Sequence, residues 1–407
     1  MAQLGSPNRE NIAAIQSDVR NNTYVLGSTK GVIEPGHVAD SGYDLFLAKY
    51  GPSGDLFWVR QFGTPDPDGA GTQMVVQRNG DVYVTGTTWG NFPGYTNAGE
   101  SDLFLAKVTT NGVIAWIKQF GSPAVDEGWG IAAAPSGDLY VGANTKGVFP
   151  NVSGPTNAYV NGYDAVLAKF DRNGIMKWAR QFGGASDDDG WTVQVSRNSE
   201  VYLVGTAYGS IGSATINGIA DGFIAKYDRN GNQKWLKLFG GGSDDEFWGA
   251  SLNSRGEIYA TGISYGYVGT TAGTNLGDAD ATISKIDANG NVLWVTQFGS
   301  SGFDQMQYGV VGRNGWLYVS GINGAALPGV PFQGGSQDAF VLAISPTGTS
   351  QRIRSFGTPG DEGNLTYTGG FALRPNGTMV LATQTDQPPW GARSTSSDVY
   401  ITALAML

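Results

Sequence analysis

The sequence predicts an all-β protein: a seven-bladed β-propeller of four-stranded antiparallel blades, its ring closed by pairing of the N-terminal stub with the last blade. Three observations predict it. A Phe-Gly pair recurs at Phe62, Phe120, Phe182, Phe239, Phe298 and Phe356, successive copies standing 57–62 residues apart, and Leu4-Gly5 holds the same register before the first. From the Asp that opens one apolar run to the Phe that closes the next is 18 residues each time, from Asp44 to Phe62 through Asp338 to Phe356. Short apolar runs are punctuated by Asp/Asn-Gly turns, with no helical periodicity between them. A fixed period of this size marks stacked supersecondary units rather than independent domains.

Residues 122–182 illustrate one unit. Gly130 to Ala134 reads as a first strand, ended by the turn Pro135-Ser136-Gly137-Asp138. Leu139-Tyr140-Val141 reads as the second, and a loop of variable length follows. Asp164 to Phe170 is the third, and after the turn Asp171-Arg172-Asn173-Gly174 the run Ile175 to Phe182 is the fourth. Repeating this unit divides residues 1–407 into a single propeller with blades at 6–62, 64–120, 122–182, 184–239, 241–298, 300–356, and 358–407 together with 1–4. Most length variation falls between strands two and three, which marks that stretch as surface loop.

Residue size predicts the radial order. First strands are rich in small residues, as in Ala132-Ala133-Ala134 and Gly249-Ala250-Ser251; Trp58, Trp116, Trp178, Trp235 and Trp294 stand on fourth strands, four before the Phe. Sheets round an axis crowd at the centre and splay at the rim, so small residues belong inside and Trp outside. Burying one such side chain stabilises by about 1.5–3 kcal/mol. The last unit ends on a third strand, Asp398 to Leu404, and the stub Met1 to Gly5 is expected to supply its fourth and remove an open edge.

Composition excludes several functions. A net charge of -10 speaks against a nucleic-acid partner. With no cysteine there is no disulfide or thiolate chemistry. No apolar run is long enough to span a membrane, and Met1-Ala2-Gln3-Leu4 does not read as a secretory leader.

The segments Gly80-Asp81-Val82-Tyr83-Val84-Thr85-Gly86, Asp44 to Tyr50, and Gly54-Asp55-Leu56-Phe57-Trp58-Val59-Arg60-Gln61-Phe62-Gly63 resemble the seven-bladed β-propeller (SBBP) repeat of bacterial proteins, and more distantly NHL-type propellers. The resemblance recurs in every unit. It implies a propeller of the bacterial envelope or a secreted, periplasmic or cell-surface protein, and transfers no catalytic motif. The last unit departs from the pattern: Val380-Leu381-Ala382-Thr383 lacks the Tyr and Gly, and Arg352 replaces the fourth-strand Trp of the sixth.

Candidate functional residues lie where strands one and three begin. Six after each Phe (or Leu4) stand Glu10, Asp68, Asp126, Asp188, Asp245, Asp304 and Glu362; strand three opens with Asp44, Asp102, Asp164, Asp221, Asp280, Asp338 and Asp398. One reading is an acidic mouth; the other is carboxylates that accept backbone N–H bonds and tie loops. Aromatics on this face are blade-specific: Trp129, Trp191 and Trp248 nine after the Phe, Tyr308 offset by one, and Trp89, Tyr208, Tyr265 and Trp390 after strand two. With Asp126, Asp188 and Asp245 they make the candidate ligand site, since flat apolar rings beside hydrogen-bonding groups suit a glycan or a peptide. The competing reading of the rings is packing between loops.

No cofactor is expected. Calcium is the weaker alternative, because Asp66-Pro67-Asp68-Gly69 and Asp187-Asp188-Asp189-Gly190 complete no calcium-loop template. The lone His37 reads as an exposed loop residue beside Glu34, and no Gly-x-Ser-x-Gly elbow or His/Cys cluster exists. Lys49, Lys107, Lys169, Lys226 and Lys285 are expected to snorkel over blade surfaces. Three functions follow: a non-catalytic recognition module, a structural or assembly scaffold without a small ligand, and a carboxylate-based enzyme acting on glycosides. Oligomeric state is left open.

Overall fold

The computed structural model describes residues 2–6, 8, 10–38, 42–152, 162–268, 276–349, 351–356, 370–385 and 398–404. Its first strand, β1, is Ala2–Leu4. Four consecutive strands then make each of six sheets. β2–β5 are Glu10–Ser17, Thr23–Thr29, Asp44–Tyr50 and Leu56–Phe62; β6–β9 are Asp68–Val76, Val82–Thr88, Asp102–Val108 and Ile114–Phe120. β10–β13 are Asp126–Ala133, Leu139–Thr145, Asp164–Phe170 and Met176–Phe182; β14–β17 are Asp188–Val195, Val201–Ala207, Asp221–Tyr227 and Gln233–Phe239. β18–β21 are Asp245–Leu252, Ile258–Ser264, Asp280–Ile286 and Val292–Phe298; β22–β25 are Asp304–Val311, Leu317–Asn323, Asp338–Ile344 and Gln351–Phe356. The first strand of each blade lies against the first strand of the next, so these small-residue strands surround the axis.

The expectation of a seven-bladed propeller is corrected to six blades among the described residues. Six blades follow the repeat, each of four consecutive antiparallel strands. The remaining strands, β26 (Phe371–Leu373), β27 (Met379–Thr385) and β28 (Asp398–Leu404), join β1 in a composite sheet of order β1-β28-β27-β26. Its first strand and its borrowed fourth strand are three residues each. Its second strand lacks the Tyr that packs on a fourth-strand Trp in the first five blades. The sheet sits between the sixth blade and the first: Phe371, Met379 and Leu381 pack with Tyr318 and Val341, while Leu4, Ala372, Val380 and Ile401 pack with Ile12, Val25 and Phe46. Leu4 stands opposite Val399 and Ala2 opposite Ile401, so chain start and chain end share one ladder.

A repeated lock holds neighbouring blades together. In the first blade Tyr24 packs edge-on to Trp58, with Lys49 Nζ over the Tyr ring. Lys49 and the Trp58 indole N–H both donate to the Thr110 carbonyl of the second blade, each at 3.1 Å. Gly112, at φ 80° in that same turn, presses on the Trp58 ring, where a Cβ would collide. Tyr202, Trp235 and Lys226 reach Ala288 in the same way, and Tyr259, Trp294 and Lys285 reach Pro346. Lys49, Lys169, Lys226 and Lys285 are thus interblade ties rather than surface snorkels, while Lys107 pairs with Asp81 of its own blade.

First strands begin earlier than the apolar pattern predicts: β10 starts at Asp126, not Gly130. A β-bulge explains the difference. Gly128 pairs with Ala143 and Gly130 with Gly142, leaving Trp129 unpaired and the alternation broken.

Candidate functional site

The glycine of each Phe-Gly marks where two carboxylates meet. Beside Gly121 lie Asp102 of β8 and Asp126 of β10; beside Gly183, Asp164 and Asp188; beside Gly240, Asp221 and Asp245. A Cβ on any of these glycines would enter a carboxylate, so the turn has room for Gly alone. Asp126, Asp188 and Asp245 are buried. Their Oδ2 atoms accept the backbone N–H of Ser122 (2.5 Å), Gly184 (2.6 Å) and Gly241 (2.6 Å). The strand-three aspartates accept from a glutamine just before the Phe: Gln61 on Asp44, Gln119 on Asp102, Gln181 on Asp164 and Gln297 on Asp280, at 2.8–2.9 Å. The same glutamine amides clasp the loop after strand two, as Gln119 does between Phe92 N–H and the Gly90 carbonyl. Both acidic series therefore tie loops.

Burial raises these acids. Asp68 stands at about 7, Asp126 and Asp304 at about 6, and Asp188 at about 8; desolvation is the first cause in each, and the paired strand-three aspartate adds to it. His37 is not simply exposed: its Nε2 lies 2.9 Å from Asp44 Oδ2, while Glu34 pairs with Arg60 at 2.8 Å.

The three tryptophans share one device. Trp129, Trp191 and Trp248 are each the unpaired residue of a bulge in β10, β14 and β18, thrown out of the ladder beside the axis. Trp129 and Trp191 touch edge-to-face at 4.9 Å between centroids. Two residues before each Trp stands an acid that the sequence reading passed over: Glu127, Asp189 and Glu246. This position, seven after the Phe, is acidic only here; the first, second and sixth blades carry Asn11, Gly69 and Gln305. That blade-specific charge was the available signal.

Glu246 accepts the Trp248 indole N–H (2.5 Å) and the Tyr208 hydroxyl (3.4 Å). Glu127 accepts the Tyr163 hydroxyl (3.1 Å), and Lys146 lies over that Tyr ring. Asp189 accepts from the Asn144 amide at 2.8 Å. Burial lifts all three acids; Asp189 reaches about 7, with Asp187, Glu127 and Glu246 adding repulsion. Trp89, Tyr208 and Tyr265 stand at the rim, 44, 36 and 45% exposed. Trp390 lies outside the described residues, as does Glu362.

Tyr308 does not join this group. It lies in the wide bulge of β22 and donates its hydroxyl across the axis to Thr72 of the second blade at 2.5 Å. Gln73 crosses likewise to accept the Val193 N–H at 3.0 Å. These contacts narrow the channel at mid-depth. Tyr308 and Thr72 then line a cavity of about 470 Å³, with Gln16, Ser17, Gln194 and Ser251, toward the opposite face. Asp68 and Asp188 of the calcium candidates serve loop ties, and among the described residues no three acidic or histidine side chains converge in a metal-holding group. No described helix is long and apolar enough to cross a membrane.

Comparisons with known proteins agree with this architecture. The "Regulatory protein FlaEY" of Caulobacter vibrioides is 25% identical over 177 residues, 40% of this chain and 19% of that protein. The β-propeller domain of the Trilobed protease from Pyrococcus furiosus superposes with a TM-score of 0.51 at 9% identity, covering 98% of this chain and 95% of that one. The Neurospora crassa Pan2 WD40 domain gives 0.50 at 10% identity, covering 96% and 88%. These likenesses establish the fold alone. Residues 58–93 match the SBBP family, described as a beta-propeller repeat, and the chain is an all-β propeller carrying that repeat.

Proposed function

We propose that this propeller is a non-catalytic recognition module of a secreted, periplasmic or cell-surface bacterial protein. It binds a glycan or peptide at the mouth formed by the third, fourth and fifth blades. One observation carries the reading: three consecutive blades place a bulge Trp beside the axis with an acid two residues before it, and no other described blade has both. A frame requirement would have filled the position in every blade. The loop-tying aspartates belong to the frame and leave ligand contact to Glu127, Asp189, Glu246, the three Trp, Trp89, Tyr208 and Tyr265. Similarity to a relative named as a regulatory protein fits a module acting by contact rather than turnover.

The test is binding of the purified chain to glycan and peptide arrays, beside a W129A/W191A/W248A variant. The reading expects signals that vanish in the variant while the folded state is retained. Silence on both arrays would return the chain to the scaffold reading.

A further inference from the structure

Four blades of this protein build the same small assembly away from the mouth: a Tyr ring, a carboxylate and a lysine that joins them. Lys107 pairs with Asp81 at 3.0 Å over Tyr83, and Lys169 with Asp138 at 3.0 Å over Tyr140. Lys226 pairs with Glu200 at 2.8 Å over Tyr202, and Lys285 with Glu257 at 2.9 Å over Tyr259. An ammonium on an aromatic face beside a carboxylate satisfies both partners. At the mouth the third blade keeps the cation, Lys146 over Tyr163 beside Glu127, whereas in the fourth and fifth blades the ring and the carboxylate recur with no cation among the described residues. Glu246 sits against Trp248 and Tyr208, and its charged neighbour is Asp244. Asp189 stands two residues from Trp191, and its charged neighbours, Asp187, Glu127 and Glu246, are all acidic.

A second observation lies at Trp191. In the fifth blade the glutamate reaches its Trp N–H. In the fourth blade the acid is aspartate, one methylene shorter, and Asn144 holds it. The Trp191 Nε1 is buried and has no acceptor among the described residues, and the same holds for Trp129 Nε1 beside it. An unsatisfied buried donor costs about 1–3 kcal/mol, so a ligand that supplies an acceptor gains from it.

We infer that the mouth between the fourth and fifth blades takes the lysine or arginine side chain of an exposed peptide segment. The cation enters between Asp189 and Glu246 against Tyr208 and Trp248, and a peptide carbonyl accepts the Trp191 N–H. This rests on the recognition reading above and adds the class of ligand. A peptide is favoured over an amino sugar by ring geometry: Trp129 and Trp191 meet edge-to-face, and the Tyr208 hydroxyl and Trp248 N–H already engage Glu246, so the rings offer no shared flat platform.

The experiment is calorimetric titration of the intact chain with short Gly/Ser peptides carrying one central lysine, arginine, Nε-acetyl-lysine or glutamine, with a glucosamine oligomer as a further arm. The expected result is binding by the lysine and arginine peptides alone. It should weaken from about 50 to about 500 mM salt and fall by about tenfold or more in D189N/E246Q. E246Q alone serves if the double variant fails to fold. Equal binding of the acetylated peptide, binding of the glucosamine oligomer in place of the lysine peptide, or undiminished binding by either variant would overturn the inference. If array glycans bind through the tryptophans while the lysine peptide does not, this inference falls and the recognition reading stands.

Discussion

Gly121 is small because Asp102 and Asp126 close over it, and that contact makes a sharp prediction. Gly121→Ala should lower stability by about 1–3 kcal/mol in a denaturant titration, since the added carbon overpacks a buried polar site. A variant as stable as the parent would remove the carboxylate pair from the frame. The same pairs set the pH response. Asp68, Asp126, Asp188 and Asp304 have folded-state values of about 6–8, raised from 3.8, so the folded protein holds protons that the unfolded chain releases. Their contribution to stability is full below about pH 4 and is lost progressively as pH rises from there to about 6–8. Asp228 and Glu257, both lowered to about 2, oppose this only in strong acid. Melting temperature should therefore be higher at pH 5 than at pH 8.5; the reverse order would place the buried acids as permanently ionised.

At the scale of the element, the interblade lock is the unit of stability. Trp294 donates to the Pro346 carbonyl at 3.1 Å, meets Tyr259 edge-on and covers Gly348 of the next blade's turn. Trp294→Ala should cost about 3 kcal/mol, measured by denaturant unfolding. A loss under about 1 kcal/mol would show the outer Trp to be ornamental. Much of this element was legible in the sequence. The constant spacing from Asp280 to Phe298 reports a hairpin whose two strands cannot change length, and β20 starts and β21 ends at those residues. Bulges were not legible, because an extra residue breaks the alternation from which a strand is read. That is why β10 was begun too late and why Tyr308, in a wider bulge, read as a mouth residue when it crosses the channel. The Gln119–Asp102 tie was equally hidden: it links residues 17 apart through a hairpin, with no local pattern.

For the whole molecule, the composite sheet is where the repeat gives way to closure. β1 supplies three residues to β28, and Leu4 packs with Ile12 and Ile401. Removing residues 1–5 should lower the melting temperature and expose the β28 edge; an unchanged melt would make that pairing dispensable. The proposed mouth is half legible. Its tryptophans stand out because they occur in only three blades, whereas Asp126, Asp188 and Asp245, expected beside them, tie loops. Those acids recur in every blade because the frame needs them, whereas Glu127, Asp189 and Glu246 do not recur. The central claim is this division between frame acids and mouth acids. The most direct test is a pair of thermal melts, D126A/D188A/D245A against E127A/D189A/E246A. The account predicts a large drop in melting temperature for the first, which loses three buried loop ties, and a melt at or above the parent's for the second, which relieves clustered like charge. Equal losses in both would contradict it.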